Sequence, residues 1–274
     1  WIGTESGVYI YNLRTEKYTH LRSSEYDPYS LSDNAIYSFC KDREDGIWIG
    51  SYFGGVNYYP RSYTYFEKYY PKGIENSLHG KRVREFCRDS QGILWIGTED
   101  GGLNRFNLKT KDFSFFAASA GFTNIYGLCL VDDKLWVGTF SKGLKVIDTR
   151  SGVVLKTYQK NDSPRSLIDN SIFAICKTAT GDIYLGTMFG LVRYNKQSDD
   201  FDRIPELNGK FIYDIKEDSA GNIWLATYAN GVYCYNVNDR KWKNYVHDDK
   251  DNTSLPYNKV SSVFEDSHRQ IWLT

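Results

Sequence analysis

The chain has 274 residues, 41% of them hydrophobic and 16% aromatic, and its 34 basic and 34 acidic side chains leave no formal net charge. That balance argues against binding nucleic acid or another polyanion through a global field, and no apolar run approaches the roughly 20 residues a membrane-crossing helix needs. One methionine and six prolines against 23 tyrosines, 15 phenylalanines and seven tryptophans describe a chain of wide, flat side chains, a composition that favours strands.

The opening run WIGTESGVYIYN recurs in variant form along the chain as IWIGSYFGGVNYY, LWIGTEDGGLNRFN, LWVGTFSKGLKVID, IYLGTMFGLVRYN, IWLATYANGVYCYN and a final IWLT. The anchoring aromatics Trp1, Trp48, Trp95, Trp136, Tyr184, Trp224 and Trp272 are spaced by 40 to 48 residues, the period of a four-stranded propeller blade. Runs 35–42, 82–89, 171–178, 211–218 and 259–266 are alternating or continuously apolar and predict a first strand, A, ahead of the anchor. Turns with Asp early and Gly late then lead into strand B at the anchor. Gly-Gly or Asn-Gly leads into strand C, and the more polar runs 63–69, 112–116, 153–158 and 241–245 supply strand D. The expectation is an all-β protein, a β-propeller of four-stranded antiparallel blades with each anchor buried and negligible helix. Residues 1–274 read as one propeller repeat domain, truncated in mid-blade at both ends, with about six and a half repeats of a seven-bladed array present.

Two further repeated positions read as scaffold. Ser30, Ser77, Ser166 and Ser254, each followed by Leu, lie eighteen residues before an anchor, and Asn34, Asn170 and Asn258 lie fourteen before it. This pattern predicts a structured D-to-A connection in which Leu plugs the core and Ser or Asn serves loop amides. Cys40, Cys87, Cys129 and Cys176 share one position on strand A, so packing between innermost strands outweighs a redox or metal role for them. Cys234 lies apart, on strand C.

No nucleophile elbow, zinc-protease helix, phosphate-binding glycine loop or C-x-x-C motif occurs, and the four histidines fall in different repeats. Ser38 and Lys41 match S-x-x-K on a strand rather than at a helix start, and Asp248, Asp249 and Asp251 lack the glycine and terminal Glu of a calcium loop. No catalytic residue, metal site or cofactor is assigned, and the segment is not expected to be an enzyme.

The Ser-Leu connection, the Asp-x-x-Gly turn, Leu-Trp-Ile-Gly-Thr and Gly-Gly-Leu-Asn-x-Phe together resemble the two-component regulator propeller repeat, and DSQGILWIGTEDGGLNRFN comes close to its consensus. Tyr184 for Trp and Ala226 for Gly depart from it at scaffold positions. The resemblance implies a segment of the periplasmic sensor region of a membrane-bound hybrid histidine kinase that recognises oligosaccharides from complex glycans and regulates the genes for their use. It further implies a neighbouring propeller, a homodimer in the intact receptor, and no direct nucleic-acid contact by this segment. A propeller lyase related to streptogramin-inactivating enzymes and a protein-interaction platform are the alternatives, since fold does not fix function.

Recognition in a repeat fold belongs where the repeat varies, on loops that a rigid scaffold positions. Four residues past the anchor stand Glu5, Tyr52, Glu99, Phe140, Met188 and Tyr228. Aromatic rings there can stack on the apolar faces of pyranose rings, while charged groups select hydroxyl or acid patterns. The candidate ligand-binding residues are therefore Tyr52, Glu99, Phe140 and Tyr228, with Arg82 and Arg84 as planar cations suited to carboxylate or sulfate.

Overall fold

A computed structural model describes residues 1–61 and 67–274. The chain forms two compact units, Trp1–Ser77 and Leu78–Thr274. In the first unit, strands Ile2–Thr4, Gly7–Asn12 and Lys17–Leu21 make one antiparallel sheet, and Ile36–Lys41, Ile47–Ser51 and Val56–Tyr59 make another. The strand D expected over 63–69 lies outside the described residues as far as 66, and 67–69 carry no strand.

The second unit holds four complete blades in the expected A-B-C-D order. Blade 3 comprises Val83–Arg88, Ile93–Thr98, Gly102–Asn107 and Phe113–Phe115; blade 4, Ile125–Val131, Lys134–Thr139, Leu144–Asp148 and Val154–Tyr158. Blade 5 comprises Ile172–Lys177, Ile183–Thr187, Gly190–Asn195 and Asp200–Arg203; blade 6, Ile212–Glu217, Ile223–Thr227, Val232–Asn236 and Lys241–Tyr245. Val263–Glu265 and Ile271–Leu273 come next as strands A and B of a seventh repeat. Helix among the described residues is limited to two short 3-10 turns, Ala117–Gly121 and Pro205–Leu207. The protein is an all-β propeller, and within the second unit the A strands of consecutive blades pack side by side.

The core of this unit lies between consecutive blades. Trp95 and Leu103 pack with Ile125, Leu128 and Leu135; Trp136 and Leu144 with Ile172, Ile183 and Leu185; Ala174 and Leu191 with Ile212, Ile215 and Ile223. Glycine on strand B makes this approach possible. A Cβ on Gly97, Gly138 or Gly186 would come within 2.7 to 2.8 Å of Ile125, Ile172 or Ile212 on the following blade. Ala226 departs from the repeat where the residue it packs against also changes: it meets Val260, at the position that Ile125, Ile172 and Ile212 hold in blades 4, 5 and 6. One methyl is added as another is removed, so the packed volume is conserved.

The anchors differ in how far they are covered. Trp95 and Trp136 are buried at 0% and 4% exposure, whereas Trp1, Trp48 and Trp272 are 41%, 44% and 56% exposed. The expectation that each anchor is buried therefore fails at these three. In the second unit an anchor is covered by the blade after it, and Trp48 and Trp272 have no following blade within their own units.

The repeated connections are built as the sequence predicts. Leu31, Leu78 and Leu167 are buried. Ser30, Ser77, Ser166 and Ser254 accept the amides of Ser24, Lys72, Asn161 and Asp248 at 2.9 to 3.4 Å. The carboxamide oxygens of Asn34, Asn170 and Asn258 accept the amides of Ser23, Lys160 and His247 at 2.7 to 2.8 Å.

Candidate ligand-binding face

Three local devices aim the variable residues of each blade. The threonine that ends strand B donates to the glycine carbonyl across the B-to-C turn: Thr98 to Gly102, Thr139 to Gly143, Thr187 to Gly190 and Thr227 to Gly231, at 2.6 to 3.0 Å. All four threonines are fully buried. Gly143 and Gly231 take φ of 74° and 68°, where a side chain would be strained and would also meet a neighbouring carbonyl.

The residue after each threonine, and after Ser51 at the same position in the first unit, is then tied to the start of strand A. The amides of Tyr52, Glu99, Phe140, Met188 and Tyr228 donate to the carbonyls of Ala35, Arg82, Asn124, Ser171 and Phe211 at 2.9 to 3.2 Å. Next to that tie, the A strands ahead of Trp48, Trp95, Trp136, Tyr184 and Trp224 each carry a β-bulge, seen as a register shift at Ile36/Ser38, Val83/Glu85, Ile125/Gly127, Ile172/Ala174 and Ile212/Asp214. The extra residues are Tyr37, Arg84, Tyr126, Phe173 and Tyr213. A bulge re-aims the side chain that it leaves unpaired.

In the second unit these devices bring five of the six sequence candidates to one face. Arg82 and Arg84 both pair with Glu99, at 3.5 and 3.2 Å, so the two cations share one carboxylate. The Arg84 guanidinium also lies 4.4 Å over the Tyr126 ring. Tyr126 is 6.1 Å from Phe140 and 4.5 Å from Phe173; Phe173 is 4.5 Å from Phe211; and Phe211 stacks on Tyr228 at 5.6 Å. The Lys259 ammonium lies 5.2 Å over Tyr228. A belt of touching rings thus runs from blade 3 to the seventh repeat with a cation at each end. Phe140 and Tyr228 keep 39% and 46% of their surface exposed. Tyr52 belongs to the first unit, where it stacks on Tyr37 at 5.2 Å and meets Phe53 edge-on at 4.4 Å.

Beside the belt is a cavity of about 540 Å³, walled by Arg84, Tyr126, Phe173 and Tyr213 together with Glu85, Asp214 and Lys216. Burial pushes the Glu85 carboxyl above the ordinary range, with the Phe86 amide and Lys216 offsetting part of that and Asp214 adding to it. Lys216 pairs with Asp214 at 3.6 Å, and Asp214 accepts from Ser262 Oγ and the Val263 amide at 2.9 and 3.0 Å. Burial and the Glu99 carboxylate raise the Tyr126 phenol, which therefore stays a donor. Asn124 Oδ1, just ahead of the strand to which Phe140 is tied, is buried without a hydrogen-bond partner among the described residues. The face offers stacked rings and paired charges of both signs, which suits a polar ligand with flat apolar faces.

The thiols are poorly suited to chemistry. The described cysteines are free, and burial raises Cys87, Cys176 and Cys234 to about 11, so the reactive thiolate is scarce. Cys40, expected to pack between strands, is exposed. Among the described residues no group of His, Cys, Asp and Glu could hold a metal.

Sequence reasoning missed Tyr126, Phe173, Tyr213, Glu85, Lys216 and Lys259. The signal for the first three is the column ten or eleven residues before the anchor, which reads Tyr, Arg, Tyr, Phe, Tyr in successive repeats. Lys216 announces itself by occupying the strand-A position that is Cys in the four preceding repeats; it faces Trp224 as Cys176 faces Tyr184.

Comparison with known proteins gives this geometry its relatives. Residues 30–53, 77–100 and 206–229 match the family model described as two component regulator propeller. The chain is 25% identical over 152 residues to histidine kinase P4 of Formosa agariphila, covering 52% of this chain and 11% of that protein. It superposes over its full length on the extracellular domain of the hybrid two component system BT3049 from B. thetaiotaomicron, with TM-score 0.64 and 21% identity. There it spans 36% of the other chain. A second superposition, on PorZ, a surface component of the type-IX secretion system of Porphyromonas gingivalis, has TM-score 0.56 at 14% identity, covering 88% of this chain and 37% of that one.

Proposed function

Since the chain carries two-component regulator propeller repeats, we propose that it is a ligand-sensing segment of the periplasmic region of a membrane-bound hybrid two-component histidine kinase. Its ligand is an oligosaccharide released from a complex glycan, and the intact receptor, a homodimer with a neighbouring propeller, regulates transcription of glycan-use genes. The segment itself turns nothing over and contacts no nucleic acid. The observation that carries the ligand class is the belt from Arg84 through Tyr126, Phe173 and Phe211 to Tyr228, beside a cavity with charges of both signs. Exposed rings stack on pyranose faces, and Glu85, Lys216 and Arg84 can read hydroxyls and acid groups. Signalling further requires that the ligand bind two receptor states with different affinity.

The test is calorimetry of the intact periplasmic region against neutral and acidic oligosaccharides. Phe140→Ala and Tyr228→Ala are expected to cost about 1 to 2 kcal/mol of affinity each, as binding hot spots do. Arg84→Ala should matter for an acidic ligand, whose binding should carry a salt dependence that a neutral one lacks. Unchanged affinity after replacement of Tyr52, Arg82, Arg84, Glu99, Phe140 and Tyr228 together would overturn this site. Steady turnover of a substrate by pure protein would overturn the sensor reading.

A further inference from the structure

The cavity beside the ring belt is out of charge balance. Its walls carry three cations, Arg84, Lys216 and Lys259, against two carboxylates, Glu85 and Asp214. Each carboxylate already has donors of its own. Asp214 accepts from Ser262 Oγ and from the amides of Ile215 and Val263 at 2.8 to 3.0 Å, and it pairs with Lys216 at 3.6 Å. Glu85 accepts the Phe86 amide at 2.9 Å, and burial disfavours its charged form. Glu99, at the blade-3 end of the belt, takes both Arg82 and Arg84.

The cations are not matched in the same way. Arg84 shares its carboxylate with Arg82, and Lys259 pairs with no carboxylate among the described residues, its ammonium lying instead 5.2 Å over the Tyr228 ring. At this end of the belt Ser262 Oγ is spent on Asp214, and Ser261 Oγ donates to the Thr274 carbonyl at 3.1 Å. Lys259 is therefore the wall group whose charge is left for a ligand to meet. A cationic ligand is disfavoured, because Arg84 and Lys259 already lie over Tyr126 and Tyr228, the rings it would use. A neutral ligand would draw nothing from the surplus. A ligand with flat apolar faces and an anionic group uses the rings and the surplus together.

We infer that the site selects sugars carrying an acid group, carboxylate or sulfate, and that Lys259 is the residue that reads the acid. Its four-carbon stem lets the ammonium reach an oxygen at the cavity wall while the aromatic surface beside it carries the sugar ring. Arg84 and Lys216, on the same walls, add to the field the acid enters. This selectivity rests on the sensor reading above and narrows the ligand from oligosaccharides in general to acidic ones.

The experiment presents the intact periplasmic region to immobilised oligogalacturonates and chondroitin sulfate oligosaccharides, and to neutral methyl-esterified oligogalacturonates and galacto-, manno- and xylo-oligosaccharides. Affinities of the binders are then measured by calorimetry. The binders are expected to be acidic, and esterifying a carboxylate binder should remove its binding. Lys259→Met should weaken an acidic ligand by a factor of about 3 to 10, Lys259→Glu by more, and Lys259→Arg should keep most of the affinity. Lys134→Met should change nothing, because Lys134 stands at the far end of the strand that leads to Phe140, and this separates a local contact from a general field. Sodium acetate and sodium sulfate should compete poorly, since they bring charge without a ring to stack. Competition by either as strong as by the oligosaccharide itself would mean a free-anion site and overturn the assignment to acidic sugars. If neutral sugars bind as tightly as acidic ones, or if Lys259→Met leaves an acidic ligand's affinity unchanged, the selectivity fails while the sensor reading stands. If neither class binds, the sensor reading fails and the selectivity with it.

Discussion

Asp89 is a single carboxylate that meets three demands at once. It accepts the Trp95 indole N–H at 3.0 Å and the amides of Gln91 and Ile93 at 2.9 Å, while only 8% exposed. Asp89→Ala would leave three donors unserved next to a fully buried ring, and we expect it to destabilise the chain by about 3 kcal/mol. A lower urea midpoint at unchanged slope would check this. Thr178→Asp and Tyr184→Trp belong together for the same reason. Their combination should be more stable than the sum of the single changes predicts, and a double-mutant cycle measures that coupling. Both the Asp and the Trp were legible in the sequence, one as turn chemistry and one as the repeat's anchor. Their bond was not, because it depends on the hairpin register that faces Cys87 with Trp95. Tyr184 therefore looked like an isolated departure although Thr178 had changed with it.

Between elements, packing is set by what one blade leaves room for on the next. The added methyl of Gly138→Ala would come within 2.8 Å of Ile172 Cγ2 and 2.9 Å of its carbonyl oxygen. Backbone cannot rotate away, so a loss of about 1 to 3 kcal/mol is expected in denaturant unfolding. The repeated glycine was visible in the sequence, but the residue it makes room for comes from another repeat and was not. Blades 4 and 5 are also tied at their outer strands. Lys156 and Tyr158 from blade 4 and Tyr194 from blade 5 all bond Asp199, at 2.5 to 2.6 Å. Lys156 foremost, then the two phenols, hold the Asp199 carboxyl down at about 2. A depressed folded value means that this tie stabilises the protein fully above the ordinary aspartate range and ceases to do so as pH falls toward 2. Asp199→Asn should accordingly lower the melting temperature at pH 6, and the gap from the parent protein should close between about pH 4 and pH 2. A gap that stays constant with pH would assign the effect to packing instead.

For the whole molecule, the two units differ in how much they bury. The buried core of the first unit is Val8, Leu31, Ile36 and Ile49, whereas the second has successive clusters that include the fully buried Trp95, Leu135, Ile147, Leu185 and Leu225. Amide exchange should therefore be faster in Ile36–Lys41 and Ile47–Ser51 than in Ile172–Lys177 and Ile212–Glu217, since opening is easiest where little apolar surface is buried. Equal protection, read by mass spectrometry, would contradict this. Blade order, strand polarity and the Ser-Leu connections were all legible at this scale, because each repeats and repetition exposes a pattern. Anchor burial was legible only where a following blade lies in the same unit. The rings at Tyr126, Phe173 and Tyr213 were not legible, because they stand on bulges, and a bulge has no pattern of alternation to betray it. That same irregularity gives the protein a kind of blank tile. The extra residue in each bulged A strand has no partner across the ladder, and the register resumes on either side whether it is Tyr, Arg or Phe. A lineage can rewrite these tiles one at a time and acquire a new taste in ligands while the masonry between blades stays as it was.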